Sequence, residues 1–179
     1  MNCLTLSVIQ FNDTLVYYYM KKILFFTGKR GGFNHFIPII EKLKKRYKIS
    51  IIYSDMHTNK YFGNTHKQHQ LNFVKNILIK TIQNAERDTK INRAKQIPIG
   101  MIKNVEILKK LKPDIVLIIG DRAELFTIAI PAVILNIPIL HLYGGDISEG
   151  SYDNLFRYSL SFLSSFHLVS NEKSKKNLL

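Results

Sequence analysis

Five consecutive apolar residues, Ile115-Val116-Leu117-Ile118-Ile119, run without any alternation between apolar and polar positions. A strand with one wet face alternates. An unbroken branched run of this length needs cover on both faces, which a parallel sheet flanked by helices supplies. The pattern around it repeats that logic. An apolar run at 23–26 ends in Gly28 and is followed by helical spacing at Phe36, Ile40, Leu43 and Tyr47. Ile49-Ser50-Ile51-Ile52-Tyr53 reads as a second strand, and Met101, Val105, Leu108 and Leu111 mark a helix stopped by Pro113. A helix is predicted over 123–135, a strand over 137–142, a helix near 153–164 and a strand over 166–169. Residues 57–96 are polar and read as loop and short helices. Strands alternating with helices predict an α/β fold with a Rossmann-like parallel sheet. Pro131 falls inside the 123–135 helix, where it removes a hydrogen bond and crowds the Thr127 carbonyl, so a bend is predicted there.

Residues 1–19 stand apart from this pattern. They lack the basic start of a signal peptide, and Gln10, Asn12 and Asp13 interrupt their apolar stretch. Met20-Lys21-Lys22 running into Ile23 reads like a natural protein start, so 1–19 is expected to be an unstructured leader or a mis-assigned start. Residues 20–179 then form a single domain of ordinary size. No apolar run approaches the roughly 20 residues of a membrane-spanning helix. Cys3 is the only cysteine, which excludes a disulfide framework and a thiolate zinc cluster. A cytoplasmic protein is the expectation.

The net charge is +13, from 26 basic and 13 acidic side chains. Six of those acids (Asp114, Asp121, Glu124, Asp146, Glu149 and Asp153) lie in one window that holds a single basic residue, Arg122. The lysine runs lie elsewhere and carry no interleaved aromatics, so they read as solvated helix faces or ends rather than a nucleic-acid surface.

Ligands of open α/β sheets sit beyond the carboxyl ends of the strands, and three loops of that kind carry unusual residues. Thr27-Gly28-Lys29-Arg30-Gly31-Gly32 leads into a helix, whose first N–H groups and Arg30 suit an anion, although an ordinary strand-to-helix turn explains the glycines equally. Asp121 in Gly120-Asp121-Arg122-Ala123-Glu124 is either a rigidly held general base or a helix cap backed by Glu124. After His141 come Gly144, Gly145 and Asp146, then Asp153 and Arg157. The paired glycines fit close approach to a ligand. His141 reads as a structural histidine or a ligand contact, and Asp153 as a helix cap with Arg157 paired to it one turn on.

Thr27-Gly28-Lys29-Arg30, Asp55-Met56-His57 and Phe62-Gly63-Asn64-Thr65 resemble the opening segments of the UDP-N-acetylglucosamine 2-epimerase family. The stretch from Lys112-Pro113-Asp114 through Gly120-Asp121-Arg122-Ala123-Glu124, Asn136-Ile137-Pro138, His141, Gly144-Gly145, Glu149-Gly150, Asp153 and Arg157 is more specific. It resembles the hydrolysing branch, which releases N-acetylmannosamine-type sugars for sialic and related nonulosonic acid synthesis. The resemblance implies the N-terminal domain of a two-domain GT-B fold, with a UDP-sugar held between the halves. It implies chemistry in which the proton on sugar carbon 2 is removed while UDP leaves carbon 1. The resulting 2-acetamidoglucal takes up water with inversion at carbon 2, and no metal or redox cofactor is required. Carried onto this chain, Asp121 and Asp153 are acid/base residues. Arg30 lies near the phosphates, and Gly28, His57, Arg122, Glu124, His141, Gly144, Gly145 and Arg157 line the substrate side.

Several positions depart from the family pattern. Tyr143 stands where glutamate or histidine is usual, Tyr158 where histidine follows the arginine, Asp146 for a glutamate and Pro131 for a small helix former. A tyrosine with a pKa near 10 is a poor base at neutral pH but can donate a hydrogen bond. The resemblance covers a single Rossmann-like half, so a chain from a truncated or split gene is expected, completed by a separately encoded C-terminal half or by a second copy. A non-catalytic nucleotide-sugar binding module is the alternative. The acidic window along the ligand edge speaks against nucleic acid as the partner, and no membrane partner is expected.

Overall fold

A computed structural model describes residues 8–10, 22–69, 71–78, 89–149 and 152–179. Among the described residues the strands are β1 (Val8–Gln10), β2 (Lys22–Thr27), β3 (Lys48–Tyr53), β4 (Lys75–Leu78), β5 (Ile115–Ile119), β6 (Ile139–Leu142) and β7 (Phe166–Leu168). The helices are α1 (Arg30–Leu43), α2 (His66–His69), α3 (Lys90–Leu111), α4 (Phe126–Ile134), α5 (Asp153–Leu163) and α6 (Glu172–Lys176), with 3-10 turns at Asp55–His57, Lys60–Phe62 and Ala123–Leu125. They form one sheet in the order β1-β7-β6-β5-β2-β3-β4, in which six strands are parallel and β1 runs antiparallel on β7. The Rossmann-like α/β fold read from the apolar runs is the fold observed. Of the leader, β1 is described, and the remainder of 1–19 lies outside the described residues.

Both faces of the sheet are covered, as the unbroken Ile115–Ile119 run requires. Phe25, Ile51 and Leu117 face α1, where Phe33, Phe36 and Ile40 meet them with Phe25 and Phe36 edge to face at 4.9 Å. Leu24, Phe26, Ile52, Val116 and Ile118 point the other way, against Leu108 of α3, Ile128, Ala129 and Ala132 of α4 and Leu160 of α5. Alternate residues of one strand thus serve two separate cores.

The polar stretch 57–96 holds more regular structure than its composition indicates. Lys75-Asn76-Ile77-Leu78 is the edge strand β4, too short and too polar to show as an apolar run. α3 begins at Lys90, well before Met101, with Thr89 accepting a hydrogen bond from the Asn92 N–H as its cap. Its first half is exposed or half-buried until Gly100 and contains Pro98, so no apolar stripe announces it. α1 likewise starts at Arg30, where Gly31 and Gly32 disguise the first turn.

Pro131 is buried inside α4 and carries no N–H for the Thr127 carbonyl four residues earlier. Asn104 of α3 replaces that donor: its Nδ2 donates to the Thr127 carbonyl at 2.9 Å and to Thr127 Oγ1 at 3.0 Å. Gly100, one turn before Asn104, lets the helices close, since a Cβ there would lie 2.8 Å from Thr127 Cγ2. The cost of the proline is therefore offset by a side chain from the neighbouring helix.

Candidate functional site

Because β2, β5 and β6 are parallel neighbours, their carboxyl ends deliver three loops to one edge of the sheet. Those loops and the start of α1 enclose a cavity of about 330 Å³ lined by Gly28, Lys29, Gly31, Gly32, Asp121, Arg122, Glu124, Tyr143, Asp146 and Arg157, among others. α1 has no side-chain cap and no acidic residue in its first turn. Its first N–H groups therefore present partial positive charge to the cavity, an arrangement suited to an anion.

Asp121 stands just past the tip of β5. Its Oδ2 accepts from Arg157 Nη2 of α5, so the carboxylate is ion-paired and does not cap the following turn, whose cap position is Arg122. Arg157 pairs with Asp121 across 36 residues of sequence rather than serving only as a helical neighbour of Asp153. Its other contacts fix it further: Nη1 donates to the Asp146 carbonyl at 2.6 Å and Nη2 to Ser148 Oγ at 3.1 Å. Arg157 Nε is buried with no hydrogen-bond partner among the described residues.

Arg122, Glu124 and Asp55 form a second ionic group. Arg122 Nε donates to Glu124 Oε1 at 2.9 Å, and Nη2 lies 3.3 Å from Asp55 Oδ2. Asp55 arrives there because the loop after β3 is tied to the loop after β2, with Ser54 N–H donating to the Thr27 carbonyl and Met56 N–H to that of Gly28. Burial and the nearby Asp55 carboxylate push Glu124 up to about 6, against the opposing pull of Arg122. On Arg122 itself burial acts to lower the pKa, but Glu124 and then Asp55 outweigh it and hold the group above its ordinary value. Gly28 is required by this packing, since a Cβ there would fall 2.4 Å from Glu124 Cγ.

Arg122 and Glu124 also line a larger cavity of about 590 Å³, whose walls include Asp55, Arg93, Met101, Phe126, Thr127, Tyr152, Asp153 and Phe156. The aromatics there stack edge to face, Phe126 on Phe156 at 5.7 Å and Tyr152 on Phe156 at 5.6 Å. Asp121 and Asp153, both expected as acid/base residues, line different cavities, which share Arg122 and Glu124.

Four expected site residues lie behind the cavities. His141 is fully buried; its Nε2 donates to the Gly120 carbonyl at 2.6 Å and its Nδ1 meets Ser161 Oγ at 3.1 Å. Burial lowers its pKa to about 4, so at neutral pH it is an uncharged brace beneath the Asp121 loop. His57 is equally buried, between Thr27 Oγ1 at 2.9 Å and Thr65 Oγ1 at 3.0 Å, and steadies the first and second loops. Gly144 packs on His141, Ser161 and His167, and Gly145 (φ +76°) sits so close to the Ser174 carbonyl that a Cβ would approach within 2.1 Å. Arg30 opens α1, and its side chain lies outside the described residues.

Residues absent from the sequence reading of the site include His35, Asp55 and Lys29. Tyr143 (φ +63°) places its hydroxyl 2.9 Å from His35 Nδ1 at the cavity mouth. Burial and then the adjacent Asp146 charge raise the phenol's pKa, which keeps it protonated and able to donate. Asp55 was legible as a carboxylate just past a strand tip; His35, on an exposed helix turn, had no such signal. Among the described residues no cluster of His, Cys, Asp and Glu could hold a metal ion, and no helix is long and apolar enough to cross a membrane.

Fold and geometry together define a Rossmann-like domain with a polar cavity at the carboxyl edge of its sheet. A family model described as UDP-N-acetylglucosamine 2-epimerase matches residues 41–179. The chain belongs to that family. The UDP-N,N'-diacetylbacillosamine 2-epimerase (hydrolyzing) of Legionella pneumophila is 32% identical over 164 residues, 89% of this chain and 42% of the relative. The GDP/UDP-N,N'-diacetylbacillosamine 2-epimerase (hydrolyzing) of Campylobacter jejuni is 34% identical over 135 residues, 75% of this chain and 35% of the relative. The structure of UDP-GlcNAc 2-epimerase from Neisseria meningitidis bound to UDP-GlcNAc superposes with a TM-score of 0.72 at 22% identity, over 88% of this chain and 42% of that one. The chain thus spans about two fifths of the length of the relatives it matches. Its fold corresponds to the N-terminal domain of the GT-B epimerases.

Proposed function

We propose that this chain supplies the N-terminal half of the site of a hydrolysing 2-epimerase acting on a UDP-linked N-acetylated hexosamine. The observation that carries this is the Asp121–Arg157 pair at the tip of β5, set beside the uncapped start of α1 in one cavity. An anion at the helix start and a carboxylate at the strand tip are what eliminating a diphosphate across a carbon–hydrogen bond requires. In this reading the diphosphate lies over Gly31, Gly32 and Arg30, and the sugar ring extends toward Arg122 and Glu124. Asp121 takes the proton from carbon 2 as the bond from carbon 1 to the diphosphate oxygen breaks, leaving a 2-acetamidoglucal. Asp153, reached from the second cavity, guides the hydration: the water oxygen bonds to carbon 1 and a proton returns to carbon 2 on the opposite face. The relatives named as hydrolyzing favour free UDP and free sugar as products.

The experiment is product analysis with UDP-N-acetylglucosamine and a UDP-diacetamido sugar, run with this chain alone and with a separately expressed C-terminal domain. Free UDP in equal amount to a free mannosamine-type sugar is the expected result; an epimerised sugar still attached to UDP would overturn the hydrolysing reading. A second reading, a nucleotide-sugar binding module without turnover, draws on Tyr143, whose protonated phenol is held by His35 where the family has glutamate or histidine. It predicts UDP-sugar binding with no product in either mixture.

A further inference from the structure

The opposite edge of the sheet carries a charge arrangement that the proposed chemistry does not use. The parallel strands β2, β3 and β4 each open on a lysine, Lys22, Lys48 and Lys75. The register pairs Lys22 with Lys48, Leu24 with Ser50 and Ser50 with Lys75. Paired residues share a face and residues two apart return to it, so all three lysines project to the face where Leu24 meets α3. The last turn of α3 adds Lys110. Together they line a recess of about 240 Å³ floored by Ile23, Leu24, Leu111 and Pro113.

Among the described residues no acidic side chain lines this recess. The Asp114 carboxylate accepts from the Lys22 main-chain N–H at 2.8 Å, and Lys22 Nζ reaches the Leu111 carbonyl at 3.4 Å. Lys48, Lys75 and Lys110 have no anionic partner among the described residues. Like charges directly opposite on neighbouring strands destabilise a sheet, as Lys22 and Lys48 stand here, and three of the four lysines have no anionic partner among the described residues. Edge protection explains Lys75 on β4 but not Lys48 on the interior strand β3 or Lys110 on a helix.

We propose that this recess is a binding site for a compact phosphate polyanion, separate from the carboxyl-edge cavities. An anion of two or more charges, seated between the strand starts and the end of α3, neutralises the three uncompensated ammonium groups at once. A concave recess of this size admits a small soluble ion of the pyrophosphate class, whereas a flat or protruding lysine surface would suit a membrane or a nucleic acid.

The test is calorimetric titration of the full chain with inorganic pyrophosphate at low salt and again at about 0.15 M salt, where exposed charge attraction is screened. Lys48→Gln and Lys75→Gln are each expected to weaken binding about tenfold, the loss of one charge-assisted contact. Lys109→Gln, an equal charge change outside the recess, should change affinity by less than about twofold on the same scale. Equal weakening by Lys109→Gln would mean diffuse attraction and overturn the proposal. Affinity unchanged in both Lys48→Gln and Lys75→Gln, which would put the pyrophosphate in the carboxyl-edge cavity instead, or no binding by the unaltered chain at low salt, would overturn it too. Amide spectra of each variant confirm that these exposed substitutions leave the fold intact.

Discussion

The two cavities that share Arg122 and Glu124 are built in opposite ways. The smaller one is made by strand-tip loops, so its lining is glycine backbone, a helix start and an ion pair, all with fixed direction. The larger one is made by the flanks of α3, α4 and α5, and its walls are mostly Met101, Phe126, Phe156 and other apolar groups. Strand ends in a parallel sheet aim polar groups at a point, whereas helix flanks supply volume. The proposed ligand, anionic at one end with an acetamido sugar at the other, has matching needs, and the proposal accordingly sets its ring at the wall between the cavities.

This contrast can be broken most forcefully at Arg157. Arg157→Leu leaves the Asp121 carboxylate partly buried without its cation, which should cost about 3–5 kcal/mol in urea unfolding. Asp121→Asn/Arg157→Leu together should recover part of that loss, since the uncompensated charge is then gone. If Arg157→Leu is neutral, the polar cavity is not held by its ion pair.

Acid titration separates the polar brace from the shared wall. His141 has a folded pKa of about 4 against an ordinary 6.5. Its contribution is therefore complete above pH 6.5 and is lost as pH falls through 4, by about 3 kcal/mol in all. Glu124 acts in the opposite sense: its pKa is raised to about 6 from an ordinary 4.5, so stability rises by up to about 2 kcal/mol as pH falls through that interval. Unfolding midpoints measured from pH 7.5 to 4 should therefore fall less in His141→Gln than in the unaltered chain, and fall more in Glu124→Gln. Identical profiles for all three proteins would contradict these assignments.

A smaller effect is expected behind the apolar cavity. Asn104→Leu removes the donor that serves the Thr127 carbonyl freed by Pro131, at a cost of about 1–2 kcal/mol. Restoring an N–H with Pro131→Ala should reduce that cost; thermal unfolding of the single and double variants reads the coupling. Additive effects would show that Asn104 does not compensate the proline.

How far this was legible in sequence depends on how local each cause is. The two-faced core follows directly from Ile115–Ile119, and the loops at Gly28, Asp121 and Gly144 follow from where the apolar runs stop. The roles within those loops did not follow. Asp121 as cap or acid/base group looked equivalent by spacing because its partner, Arg157, lies 36 residues away on another helix. His141 reads from its strand end as a structural histidine or a ligand contact, and His57 enters only through the family resemblance, because neither position reveals which way an imidazole points; both turn inward to hydroxyls and a carbonyl. β4 and the first half of α3 were hidden because an edge strand and a helix segment that stays half-buried need few apolar residues. The Asn104 compensation for Pro131 is a contact between helices and leaves no local mark.

The most direct test of the central claim is proton NMR of the chain with UDP-N-acetylglucosamine or a UDP-diacetamido sugar in deuterated water, with the C-terminal domain added. The account predicts free UDP together with a free sugar of inverted configuration that carries deuterium at carbon 2, and loss of that signal in Asp121→Asn. Release of a sugar that keeps its original proton at carbon 2 would mean simple hydrolysis at carbon 1 and would contradict the account.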